Sequence, residues 1–173
     1  MVAVPIIVCT LALATAAADP PHVDPIAFHV RGADIATRGL LDTGAAKSPT
    51  FRGLLARLGM SDVIVYVEIV PRIAGGSGGR LFFVAATPTA RYLRIELVAD
   101  RNERRMVPLL AHELQHAVEI AAAPRVRDSQ SLGLLYLGMA ENRNRSAYDS
   151  VAARLVQERV RSELADCRDG TIE

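Results

Sequence analysis

The chain has 173 residues, 20 of them basic and 19 acidic, a formal net charge of +1, and half of its residues hydrophobic. That length suits one domain with a proper core, and the balance excludes both a disordered chain and a basic nucleic-acid binder. Its basic residues, all arginine except Lys47, are interleaved with acids as on an ordinary solvated surface.

Val2 to Ala18 is apolar, and Ala16-Ala17-Ala18 before Asp19 resembles a small-residue cleavage site. Residues 1–18 therefore read as a cleaved signal peptide, and the protein as exported, periplasmic or extracellular. No lysine or arginine lies between Met1 and the apolar run, which keeps an uncleaved N-terminal anchor as the alternative. No later window is apolar for long enough to span a membrane. Loss of the signal removes Cys9 and leaves Cys167 alone in a polar tail, so no intrachain disulfide can form. Residues 19–173 then make a single domain.

Residues 19–24 form a proline-rich lead-in, and Pro25 to Val30 a short strand. Ile35 to Ala46 has apolar residues near helical spacing, weakened by Gly39 and Gly44. Ser48 caps a helix with Pro49 in its first position, and Phe51, Leu54, Leu55 and Leu58 form a stripe that ends at Gly59. Val63 to Val70 alternates as a β-branched strand, stopped by Pro71. The glycines between Gly75 and Gly79 predict a hairpin turn and lack the spacing and lysine of a phosphate loop. Leu81 to Thr87 and Tyr92 to Val98 give two more strands. A helix then runs from about Arg104, or from as late as Pro108, to Ala122. Ser131 to Met139 is a short helix. The last begins near Ser146, with Tyr148, Val151, Ala152, Leu155, Val156, Val160 and Leu164 on its apolar face. This order predicts an α+β fold, a small and mostly antiparallel sheet of about three to four strands packed on the helices.

The helix after the third strand carries His112-Glu113-Leu114-Gln115-His116. Histidines four apart share one helix face and reach one metal ion, and Glu113 lies where it can hold and deprotonate a water. This is the H-E-x-x-H pattern of zinc metalloproteases. Uncharged Leu109, Leu110, Ala111, Ala117 and Val118 flank it, as a buried helix requires and an accidental histidine pair on a surface helix would not. A catalytic zinc takes a third protein ligand, and no histidine follows His116. Asp149 is the first candidate, in the first turn of the last helix on its inward face, with a helix-dipole role as the alternative. Glu119 is the rival. It lies a turn further along the motif's own face, where a bend is needed to reach the same ion, and otherwise it supports the histidines or pairs with an arginine. Glu141 and Cys167 are weaker candidates, and His22 and His29 read as surface or packing residues.

The motif from Leu110 to His116 resembles the zincin superfamily, in particular its gluzincin branch, where the third ligand is an acid on a later helix. Ser48 to Phe51, Ser61 to Glu68, Arg91 to Ile95 and the motif helix are similar to stretches of a group of uncharacterised exported bacterial proteins, over most of residues 19–173. In that group the last helix begins with an aromatic residue and a glutamate, where this chain has Tyr148-Asp149. An aspartate reaches one methylene less, so the helix must approach closer or the site is weaker. The resemblance implies Zn2+ held by His112, His116 and Asp149, with Glu113 moving the proton in peptide hydrolysis. Tyr148, Tyr136 or Arg143 would stabilise the oxyanion. The implied partner is a peptide or protein substrate. The alternatives are a zinc-binding scaffold of the same fold without turnover, and hydrolysis of another amide such as cell-wall material.

Overall fold

A capping box starts the helix that follows the first described strand. Asp34 accepts from the Thr37 backbone N–H (2.8 Å) while the Thr37 hydroxyl accepts from the Asp34 N–H (3.0 Å), which satisfies amides that a helix end leaves without partners. This helix, α1 (Ile35–Lys47), follows a short strand, β1 (Val30–Gly32). Its glycines do not break it. Gly44 has a packing reason to be glycine, since a Cβ there would come within 2.8 Å of the Phe51 ring. Ser48 closes α1 by donating its N–H to Gly44 (3.0 Å) and opens α2 (Pro49–Gly59) by accepting from the Phe51 N–H (2.9 Å). The computed structural model describes residues 29–100, 102–139 and 149–169. The predicted signal segment, His22, Glu141, Arg143 and Tyr148 lie outside them.

Strands β2 (Val63–Val70), β3 (Gly79–Ala86) and β4 (Arg91–Val98) join β1 in one sheet of order β1-β2-β4-β3. The predicted class holds: this is an α+β fold with a small sheet packed on helices. The strand directions differ from expectation. β1–β2 and β2–β4 are parallel and only β3–β4 is antiparallel, so the sheet is mixed and not a meander. The glycine run is accordingly no hairpin turn. Val70 stands opposite Val98, and Gly79 opposite Leu97, so residues 71–78 carry the chain past the end of β4 to the far edge. Burial explains this order. Val63, Val65 and Val67 and then Leu93, Ile95 and Leu97 are fully buried, and two such inner faces remove most apolar surface side by side. β3 is only half-buried and takes the edge.

Helix α3 (Glu103–Ala121) packs on the inner face of this sheet, with Val107, Leu110, Leu114, Ala117 and Ile120 fully buried. It starts earlier than Pro108, at an Asn102 cap that accepts from the Arg104 N–H (3.1 Å). Helix α4 (Ser129–Met139) rests on β3, and α5 (Val151–Asp169) packs along α3. α5 departs from expectation in two respects. Ser150 caps it, accepting from the Ala153 N–H (3.0 Å), so Asp149 stands just before the helix and not in its first turn. The buried positions are Ala153, Val160 and Leu164, whereas Val151 and Leu155 are exposed, so the face packed on α3 is not the one read from apolar spacing alone. No helix among the described residues is long and apolar enough to cross a membrane.

Candidate metal centre

Arg91 fixes the end of the helix that carries the motif. Only 1% exposed, it pairs with Asp62 (2.8 and 2.5 Å) and donates to the carbonyls of Ile120 (2.6 Å) and Ala123 (2.8 Å). These carbonyls also accept from the Ala123 and Val126 amides, so the guanidinium adds charge-assisted bonds at a helix C-terminus and complements its dipole.

One turn separates the two histidines of α3, and their rings meet edge to face at 4.9 Å. Asp149 comes up from the start of α5 so that its Oδ1 lies 3.5 Å from His112 Nε2. One potential ligand atom from each of His112, His116 and Asp149 falls within 4.8 Å of the others. The sequence's first candidate for third ligand is thus brought to the histidines, and the rival is not in the group. Glu119 sits behind His116, with Oε2 2.8 Å from Nδ1. Burial pushes the Glu119 carboxyl up, but hydrogen bonds from His116, Ser150 and Gln115 outweigh it and hold it below the usual range. An ionised carboxylate only accepts, so Nδ1 carries a proton, and Nε2 is the nitrogen left to meet a metal ion.

Does this donor set fit a metal? Among the described residues, His112 Nδ1, His116 Nε2 and Asp149 Oδ1 are buried side-chain atoms without a hydrogen-bond partner. Such orphans are costly and uncommon. All three belong to residues of the clustered trio, and a cation bound among them would satisfy those that face it. Two imidazoles and a carboxylate suit zinc, which takes three protein ligands where it is catalytic. Burial, reinforced by His116 and opposed by Asp149, lowers the His112 pKa, so its ring is neutral at neutral pH as a ligand must be.

Glu113 lies beside these groups, 6% exposed, and burial pushes its carboxyl up to about 7 against the pull of His116. The backbone of β3 packs directly against it: a Cβ on Gly79 would come 2.7 Å from Oε1. A cleft of about 510 Å3 opens over the site, lined by Gly78, Leu81, Leu109, Leu132 and Tyr136 among others. Tyr136 is 5% exposed, its ring edge-on to His116 at 5.2 Å. Burial, with Glu119 and Glu113 nearby, raises its phenol far above the ordinary value, so the hydroxyl keeps its proton.

Sequence reasoning did not single out Gly79, Arg91 or Ser150. A serine before an apolar helical run is a cap signal that could have marked Ser150. Nothing local marks the other two, whose partners lie tens of residues away. Of the early histidines, His29 bonds through Nδ1 to the Val63 carbonyl (3.0 Å), a packing role. Compared with known proteins, the chain matches no family profile, no curated sequence and no solved structure.

Proposed function

We propose that this protein is an exported zinc-dependent peptidase of the zincin type. One observation carries the reading: His112, His116 and Asp149 converge beside a buried Glu113 at the base of a cleft bordered by an edge strand. Zinc bound there would polarise a carbonyl and acidify a water. Glu113, with a pKa near neutrality in the metal-free chain, is suited to take the proton from the attacking water and pass it to the leaving nitrogen. Tyr136, held protonated, is the described candidate for donating to the developing oxyanion. The outer edge of β3 has no partner strand among the described residues, and an extended peptide can add to such an edge. The apolar cleft walls at Leu81, Leu109 and Leu132 favour an apolar substrate side chain there.

The test is the zinc content of the purified protein, wild type against Asp149→Ala, by elemental mass spectrometry, followed by peptide-library cleavage. The expected result is about one zinc per wild-type chain, with clear loss in the variant. Glu113→Gln should keep zinc and lose cleavage. A wild type that takes up no zinc on reconstitution would overturn the reading. Zinc without any activity that depends on Glu113 would leave a zinc-stabilised binding protein.

A further inference from the structure

We infer that Ser150 is a positioning residue for Asp149, acting through Glu119. This rests on the reading of the site as a metal centre. Asp149 lies outside the helical hydrogen-bond ladder, so α5 alone does not set its place. The next residue is held on two sides. The Ser150 hydroxyl, 5% exposed, accepts from the Ala153 N–H (3.0 Å) and donates to Glu119 Oε1 (2.5 Å), 31 residues away. An N-cap serine needs only the first of these bonds. The second ties the start of α5 to the carboxylate whose other oxygen holds His116 Nδ1 (2.8 Å). Glu119 is itself braced, accepting from the Gln115 amide (3.4 Å), whose own oxygen accepts from Arg57 of α2 (3.2 Å). One carboxylate thus sets both the ring orientation of the second histidine and the position of the segment that delivers the third ligand. Arg154 holds Asp149 Oδ2 (3.2 Å), which leaves Oδ1 turned toward His112. The short reach of an aspartate makes this placement matter, because a displaced α5 start has no spare methylene to compensate.

The experiment is zinc affinity by competition with a chelator, with circular dichroism of each metal-free variant as the check on folding. Ser150→Gly keeps an acceptable cap and lacks the hydroxyl. It should bind zinc roughly 10- to 100-fold more weakly than wild type, the range seen when groups behind metal ligands are removed. Ser150→Thr should restore binding to within a few-fold. In an Asp149→Ala background, Ser150→Gly should cost nothing further, since the two act as one unit. If Ser150→Gly does not fold, Glu119→Gln carries the test, because its amide cannot accept from both Ser150 and His116, and a comparable loss is expected. Wild-type affinity in the folded glycine or glutamine variant would overturn the inference. So would an equal loss with and without Asp149, the mark of a general structural role. No zinc in the wild type would overturn the metal reading and this inference with it, which separates that failure from the other two.

Discussion

At the residue scale, Glu113 lies so close to the β3 backbone that a Cβ on Gly79 would come 2.7 Å from its Oε1. The missing side chain of Gly79 is what lets β3 approach. Gly79→Ala should force the carboxylate to move. Misplacing a catalytic group by about 1 Å can cost on the order of 10²-fold, so on the proposed peptidase reading kcat should fall by that factor while zinc content stays at the wild-type level. Zinc loss in this variant would instead mean that β3 supports the ligands. The glycine was visible in the sequence only as loop composition. Its partner is 34 positions away and no local pattern joins them, whereas His112, Glu113 and His116 share a face by helical geometry alone.

At the element scale, α3 is held at its C-terminus by Arg91 and crowded at its middle by α5. Arg91→Met would strip the charged donor from the Ile120 and Ala123 carbonyls, which keep only the Ala123 and Val126 amides, and would leave Asp62 without its partner. Urea unfolding should show a loss of roughly 2–4 kcal/mol, well above that of an exposed arginine. The same pair gives a pH dependence. The hydrogen bond from Arg91, opposed by burial, holds Asp62 below the usual carboxylate range. A depressed folded pKa contributes stability that is present above the unfolded value, near 4, and lost as pH falls through the folded one. The acid limb of the stability curve should therefore be shallower in Asp62→Asn than in wild type. α1 and α2 meet with no room to spare, and Gly44→Ala should cost roughly 1–3 kcal/mol by the same assay, because Phe51 would have to shift. The helix start at Ser48 was legible because caps are local, as were the bounds of β2 and β4, whereas the Asp34 capping box was not read from the sequence. The inward face of α5 was not, because Val151 and Leu155 obey helical spacing yet point away from α3.

At the scale of the whole molecule, a ligand that binds only the native state stabilises it by mass action. With zinc at about a thousandfold excess over its dissociation constant that amounts to about 4 kcal/mol, or roughly 10 °C in Tm. Differential scanning calorimetry should show this shift on adding zinc and its reversal by chelator, and little of either in Asp149→Ala. The element sequence, the α+β class and the histidine pair with its glutamate were determined by the sequence itself, since each depends on residues a few positions apart. The order of the strands, the parallel pairing of β2 with β4 and the path of the glycine run were decided only in three dimensions, where two fully apolar strand faces compete for the centre of one sheet. The meeting of Asp149 with the histidines lies between these cases. The residue could be named from the sequence, but its place depends on a hydroxyl and a carboxylate that only folding brings together.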